Sequence, residues 1–160
     1  MKTDYKTLNS ALSGLITGCP HFIANLANAS ALLWEFLPDI NWAGFYLMED
    51  GKLVLGPFQG KAACIEIEVG RGVCGTAVAS GKIQLVPNVH EFPGHIACDS
   101  ASNSEIVIPL RKKGLKDGGA GPIFGVLDID SPSPGRFTEE DRIGLEEFAR
   151  ILEEGLAAEL

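Results

Sequence analysis

Helical periodicity at both ends of the chain, with short strand patterns between them, constrains the fold more than any other feature of this sequence. Apolar residues recur every three or four positions over residues 3–17, 21–37 and 138–156, which predicts three amphipathic helices. Six short stretches between these helices show alternating or β-branched patterns typical of strands. We expect an α+β fold, in which the N- and C-terminal helices pack on one face of a six-stranded, mostly antiparallel sheet.

Turn residues and loops separate the predicted strands. The strands cover residues 42–47, 52–55, 64–68, 83–86, 105–110 and 123–130. The last two strands should pair around a glycine-rich tip at residues 114–121, which we expect to be flexible. The stretch GVCGTAVASG predicts a weak helix with Cys74 near its N-terminus, which would lower the pKa of that thiol. Residues 87–104 show no periodicity, as is typical of a functional loop.

Composition and net charge indicate which cellular compartment and which binding partners are expected for this chain. A chain of 160 residues, 46% of them hydrophobic, fits one domain spanning residues 1–160. The net charge of -8 disfavours nucleic acids and anionic membranes as partners. No apolar stretch resembles a membrane span or a signal peptide, so a cytoplasmic location is expected. The amphipathic terminal helices predict a homodimer, because they carry more apolar surface than one sheet covers.

Three of the four cysteines, Cys64, Cys74 and Cys98, fall close together around loops. In a reducing compartment, such thiols are more often buried fillers, metal ligands or redox-active groups than structural bridges. Cys98 lies in a polar loop three residues after His95, which suits a reactive thiol, although the charge of Asp99 disfavours the thiolate. These residues alone leave open whether Cys98 is catalytic.

A zinc site is the alternative use of these side chains. Nitrogen and sulfur ligands would come from Cys64, Cys74, His90, His95 and Cys98. The spacing argues against a metal, because no CxxC, HxxxH or HExxH pair anchors two ligands on one turn. The glycine-rich GRGVCGTA also lacks the Lys-Ser/Thr end of a phosphate-binding loop.

Acidic residues mark one end of the last predicted strand. Asp128 and Asp130 are two positions apart, so their side chains point the same way. Phe124 and Val126 are expected on that face too, which would begin apolar and turn acidic. An acidic mouth on an apolar floor suits a small ligand that carries an ammonium group.

Two further observations leave alternatives open. Trp42 and Tyr46 share a face of the first strand, where they belong either to the core or to the wall of a site for an apolar group. Cys19 stands apart near the N-terminus and fits a small buried hydrophobe.

Several motifs together resemble the free methionine-(R)-sulfoxide reductases, which are enzymes built as a single GAF domain. The matching stretches are GPFQGKAACIEI, GRGVCGTA, LVPNVHEFPGHIACDSASNSEIVIPL and GVLDIDSP. The resemblance spans nearly the whole chain, and only the tip at residues 114–121 is longer than the usual hairpin. It implies a six-stranded antiparallel GAF fold and reduction of free methionine-(R)-sulfoxide in the cytoplasm, with an external thiol reductant such as thioredoxin and no cofactor. The alternative is a GAF sensor module that binds a small ligand without chemistry.

The resemblance also implies roles for the three thiols. The cysteine in HIACD, Cys98, matches the nucleophile, and the cysteine in KAACI, Cys64, matches the resolving thiol. A Cys64–Cys98 disulfide is therefore expected after turnover. Cys74 is expected to be auxiliary, and Cys19 has no role that the family implies.

Polar and aromatic residues of this chain also match positions of the family. The motifs SEI and LDID imply that Glu105, Asp128 and Asp130 are ligand-binding carboxylates, and NWAGFYL implies that Trp42 is the aromatic wall, with Tyr46 on the same face. We expect Glu105 to be the acid of the reaction, with a raised pKa, because neighbouring carboxylates resist joint ionisation.

Overall fold

The computed structural model describes residues 2–96, 98, 100–114 and 119–156. The helices and strands of this part are α1 (Tyr5–Ile16), α2 (Phe22–Phe36), β1 (Trp42–Glu49), β2 (Lys52–Gly60), β3 (Glu66–Glu68), α3 (Gly72–Ser80), β4 (Gln84–Val86), β5 (Ser104–Arg111), β6 (Ile123–Ser131) and α4 (Glu139–Leu156). Each predicted helix and strand is present, so the α+β class is confirmed. Across the described ranges, no helix combines the length and the apolar character needed to cross a membrane.

The strands form one antiparallel sheet in the order β3-β2-β1-β6-β5-β4. The predicted antiparallel pairing of β5 with β6 is confirmed. In the centre of the sheet, Asp130 of β6 lies opposite Trp42 of β1 on one side and opposite Glu105 of β5 on the other. Residues directly opposite in a sheet share a face, so these three side chains meet on one face at one end.

Different helices cover the two faces of the sheet. On one face, α1, α2 and α4 enclose a core to which the strands contribute Phe45 and Leu127, and α4 contributes Phe148. The other face carries Tyr46 and Val126, which form a second core together with residues of α3. The terminal helices thus pack on one face, as predicted.

A β-bulge in β6 changes which side chains share a face. The expectation that Phe124 lies on the same face as Val126 is wrong, because Phe124 packs in the core beneath the helices. Neighbouring residues of β5 pair with Ile123 and Gly125, which leaves Phe124 as an extra residue of β6. One extra residue reverses the alternation of side chains, so the regular pattern holds only from Gly125 onward.

A buried polar network joins the first helix to the last. The backbone N–H of Thr138 donates to Asp141 Oδ2 (2.8 Å), and the N–H of Asp141 donates to Thr138 Oγ1 (3.3 Å). This reciprocal pair of hydrogen bonds is a capping box at the start of α4. Asp141 also accepts hydrogen bonds from the Tyr5 hydroxyl (2.6 Å) and from Arg136 (3.0 Å). The cap of α4 therefore also fastens α1.

Two long connections remain, one between β4 and β5 and one between β5 and β6. The long loop between β4 and β5 contains a short 3-10 turn, Val89–Glu91, that periodicity did not indicate. The predicted glycine-rich tip falls partly at residues 115–118, which lie outside the described residues.

Candidate active site

A cavity of about 50 Å³ lies between α3 and the sheet, at the end where β1, β5 and β6 present polar residues. Its lining consists of Trp42, Tyr46, Ala62, Ala63, Ile67, Arg71, Gly72, Val73, Cys74, His95, Ile96, Cys98, Ser102, Glu105, Asp128 and Asp130. All of the predicted site residues except Cys64 line this cavity, and Cys64 is bonded to one that does.

Cys64 and Cys98 form a disulfide, with their Cα atoms 5.6 Å apart. The pairing expected from the family resemblance is therefore present. The sequence predicts that the third strand begins at Cys64, but β3 begins at Glu66, because only residues 66–68 pair with β2. Both half-cystines thus lie in loops and are half-buried, while Asp99, beside Cys98, lies outside the described residues. A disulfide that joins two half-buried loop residues at the edge of a cavity can be opened by thiol exchange.

Trp42 and Tyr46 belong both to the core and to the wall of the cavity. Their rings stack with centroids 5.8 Å apart, and each side chain is almost fully buried. Trp42 Nε1 donates to the carbonyl of Lys61 (3.1 Å), and the Tyr46 hydroxyl donates to the carbonyl of Cys64 (2.9 Å). Burial raises the pKa of Tyr46, which keeps the hydroxyl a donor. The two aromatic residues therefore fix the loop that carries Cys64.

Three carboxyl groups meet on the floor of the cavity. Glu105 is only 6% exposed and Asp128 only 5%, whereas Asp130 is half-buried. Burial, followed by the charges of the two aspartates, raises the pKa of Glu105 well above its ordinary value. The predicted direction of the shift is therefore found, although burial contributes more than repulsion. Glu105 keeps its proton and shares it in a hydrogen bond with Asp128.

Asp128 offers a buried acceptor to a ligand. Burial raises its pKa, while hydrogen bonds from Glu105 and Cys74 favour its charged form. No described residue donates a hydrogen bond to its Oδ1 atom, although that atom is buried. A buried carboxylate oxygen without a partner is costly, so the arrangement favours a ligand that brings a donor.

The pKa of Cys74 is raised, whereas the sequence predicts that it is lowered. Burial, followed by the charges of Asp128 and Glu105, raises the pKa of this thiol well above its ordinary value. A helix N-terminus stabilises a thiolate. Here full burial beside carboxylates outweighs that effect, so Cys74 remains a thiol that donates to Asp128.

The ligand set considered for zinc is not brought together. Cys64 and Cys98 are consumed in the disulfide, and the described residues place Cys74, Glu105 and Asp128 in a different group, with ligand atoms within 4.8 Å of one another. A metal in this group would have to displace the protons that Cys74 and Glu105 retain.

Arg71 is a cavity residue to which sequence reasoning assigned no role. It occupies the N-cap of α3 and is followed by Gly72, whose φ of 63° favours glycine. Gly75 permits close packing, because a Cβ atom there would lie 2.4 Å from the carbonyl oxygen of Glu68. The available signal was an arginine between two glycines directly before a helix.

Comparisons with known proteins agree on one family. The family model for the GAF domain matches residues 19–156. The chain is 59% identical over 157 residues to free methionine-R-sulfoxide reductase of Escherichia coli, covering 98% of this chain and 91% of that protein. The reduced form of fRMsr of Staphylococcus aureus superposes with a TM-score of 0.90 at 49% identity, covering 98% and 97% of the two chains. Free methionine-R-sulfoxide reductase of Neisseria meningitidis, solved in complex with its substrate, superposes with a TM-score of 0.87 at 42% identity, covering 96% and 89%.

Proposed function

The chain belongs to the GAF-domain family and, within it, to the free methionine-R-sulfoxide reductases, and from this premise we propose that it reduces free L-methionine-(R)-sulfoxide to L-methionine in the cavity beside α3. The observation that carries the proposal is the Cys64–Cys98 disulfide at the edge of a cavity lined by aromatic rings and buried carboxyl groups. A GAF module that only senses a ligand would have no use for such a thiol pair.

The reaction begins at Cys98. Its thiolate attacks the sulfoxide sulfur while an acid protonates the sulfoxide oxygen, and oxygen transfer releases methionine and leaves Cys98 as a sulfenic acid. We assign the acid to Glu105, because its buried carboxyl group keeps a proton and lines the same cavity as Cys98.

A disulfide completes the oxidative half of the cycle. The Cys64 thiol displaces water from the sulfenic acid and forms the Cys64–Cys98 bond. Cys74 is auxiliary in this scheme, because a buried protonated thiol is a weak nucleophile. An external dithiol, which we propose to be thioredoxin, reopens the bond by thiol exchange, and no bound cofactor takes part.

The carboxyl groups select the free amino acid. Asp128 and Asp130, with Glu105, surround the α-ammonium group, while Trp42 and Tyr46 contact the apolar side chain. A peptide-bound residue has no ammonium group and would leave the buried Asp128 oxygen without a donor. Sites of this kind discriminate by about 10⁴ or more.

The test uses racemic free methionine sulfoxide with dithiothreitol and, in parallel, with thioredoxin and its reductase. We expect consumption to stop when the R form is exhausted, and N-acetylmethionine sulfoxide to be nearly inert. Cys98→Ser should abolish turnover, whereas Cys19→Ser, which removes a cysteine outside the cavity, should not. Consumption of only the S form, or of neither, would refute the proposal.

We also propose that residues 1–160 form one domain that acts in the cytoplasm as a homodimer. Exposed apolar residues on the helices support the dimer, including Leu15, Ile23 and Ile143. Light scattering should give twice the mass of one chain, and a monomer at all concentrations would exclude the dimer. Cell fractionation tests the location, and a single cooperative unfolding transition tests the domain.

A further inference from the structure

The residue that follows Cys64 is an exposed isoleucine. Ile65 is 72% exposed, the highest value among the exposed large apolar side chains of the described residues. The others lie on α1, α2 and α4, at the helical face of the sheet, apart from Val69, which follows β3. A single exposed apolar residue is common on protein surfaces. Ile65 differs because it stands directly beside a disulfide.

Backbone hydrogen bonds hold Ile65 in place. The N–H of Leu55 in β2 donates to the carbonyl of Ile65 (2.9 Å), and the Tyr46 hydroxyl donates to the carbonyl of Cys64 (2.9 Å). The exposure of Ile65 is therefore not a sign of a loosely held loop, because its backbone is tied to the sheet. A preorganised surface of this kind loses little conformational entropy when a partner covers it.

The two sulfur atoms of the disulfide are presented differently. Cys98 lines the cavity, whereas Cys64 lies outside the lining and next to Ile65. A protein cannot enter a space of about 50 Å³, so it cannot approach Cys98 from the cavity. Access is one of the factors that decide which sulfur of a disulfide a thiolate attacks. For a protein thiolate, the geometry favours the sulfur of Cys64.

We infer that the surface formed by Ala62, Cys64 and Ile65, here called the docking face, binds a protein that carries a reactive dithiol. This inference rests on the proposed function, in which an external dithiol reopens the Cys64–Cys98 bond in every cycle. A second copy of this chain is not the occupant, because a permanent contact at the docking face would cover the disulfide.

The exchange at the docking face takes two steps. One thiolate of the partner attacks the Cys64 sulfur, the Cys64–Cys98 bond breaks, and Cys98 leaves as a thiolate. The second thiol of the partner loses its proton and attacks the partner sulfur of the mixed disulfide, which releases Cys64. The partner is thereby oxidised to a disulfide, and the chain gains two electrons. Attack at Cys64 thus returns Cys98 in the form that attacks the next sulfoxide.

The test compares thioredoxin with dithiothreitol as reductants of the diamide-oxidised protein, because dithiothreitol is too small to need a docking face. We expect Ile65→Ser to lower the second-order rate constant with thioredoxin about tenfold and to leave that with dithiothreitol unchanged. Ile65→Leu keeps an apolar side chain and should react as wild type does. Ile143→Ser, which removes a 58% exposed isoleucine from α4, is the matched control and should leave the ratio of the two rates unchanged. Acid quenching, alkylation and mass spectrometry follow the opening of the bond.

The attacked sulfur is identified with a thioredoxin variant that lacks its second active-site cysteine, since the reaction then stops at the mixed disulfide. Peptide mapping after a brief reaction should find thioredoxin on Cys64. Attachment to Cys98 would overturn the inference. So would an equal loss with both reductants in Ile65→Ser, no loss with either, or a wild-type protein that thioredoxin opens no faster than dithiothreitol. None of these measurements needs methionine sulfoxide. A protein that reduces no sulfoxide, yet depends on Ile65 for opening by thioredoxin, would overturn the proposed function alone.

Discussion

At the scale of single residues, the carboxyl groups of Glu105 and Asp128 give the cavity its electrostatic character. Burial raises the pKa of both, and they share a hydrogen bond. In the unfolded chain each group ionises at its ordinary pKa. At neutral pH, folding must therefore either protonate a carboxylate or bury its negative charge. The pair therefore costs folding free energy, and such costs are typical of binding sites rather than of stabilising networks.

This cost can be measured with Asp128→Asn. A raised folded-state pKa contributes stability below the unfolded pKa, near 3.8, and that stability is lost as the pH rises through the folded-state pKa. Asparagine does not titrate, yet it can still accept from Cys74 and Glu105. The free energy of unfolding of the variant minus that of the wild type should therefore increase from pH 3.5 to pH 8, by on the order of 1 kcal/mol. Activity at pH 8 should fall at least tenfold.

Urea unfolding with dithiothreitol at both pH values, together with the racemate assay, checks this expectation. Asp50→Asn, in the exposed turn after β1, is the matched control for the chemical change. A variant that loses the same free energy at pH 3.5 and at pH 8 would show that burial of Asp128 carries no electrostatic cost.

The sequence indicates the chemical identity of the site residues more readily than the environment of each side chain. The spacing of Asp128 and Asp130 placed both in the cavity, because alternation along a strand is a local property. The pKa of Cys74 could not be obtained in this way. A helix N-terminus lowers it, but burial of α3 against carboxylates from β5 and β6 reverses the sign, and those strands lie at least 30 residues further along the chain.

At the scale of elements, the helices and strands were predictable because their periodicities are local, and the bulge in β6 was not. At Arg111 the register with β6 shifts, and the Arg111 N–H donates to Glu153 of α4 (2.5 Å). The guanidinium group of Arg111 also reaches the carbonyls of Gly81 and Gly121. The partners that compensate for the irregular ladder are therefore distant in sequence, so no window of the sequence around Phe124 contains them.

The position of α3 was unpredictable for a related reason. Its residues are small and only weakly amphipathic, so the sequence does not indicate which face is buried. Packing is decided by Gly75, which allows the helix to approach the carbonyl of Glu68, and by Val73 and Ala77, which fill the second core. The cavity exists because this helix lies close to the sheet, and its lining from Arg71 to Cys74 follows from that placement.

At the scale of the whole molecule, one face of the sheet carries the larger hydrophobic core and the other face carries the cavity. Among the described residues, the larger core beneath α1, α2 and α4 shares no member with the cavity lining, whereas the second core includes Trp42, Tyr46 and Cys74. The loop of Cys64 is fixed to β1 by the two aromatic hydrogen bonds. We therefore expect formation and opening of the disulfide to move Cys98 rather than Cys64.

The size of the cavity links ligand binding to the redox state. With the disulfide formed, the cavity measures about 50 Å³, with Ile96 and Cys98 in its lining. An apolar cavity of about 150 Å³ admits benzene, so a space of about 50 Å³ is too small to enclose an amino acid. We therefore expect methionine and its sulfoxide to bind after reduction of the bond, when Cys98 can move away from the cavity.

Free methionine should therefore stabilise the reduced protein and leave the oxidised protein unchanged. At a concentration of 100 Kd, the gain in free energy of unfolding is about 2.7 kcal/mol. By the same linkage, methionine should raise the reduction potential of the Cys64–Cys98 pair by about 60 mV, because each tenfold preference for the reduced state contributes about 30 mV. Thermal unfolding with and without methionine, after dithiothreitol or after diamide, measures the first effect, and N-acetylmethionine serves as the inert control. An equal increase in Tm in both redox states would mean that the disulfide does not close the cavity to the ligand.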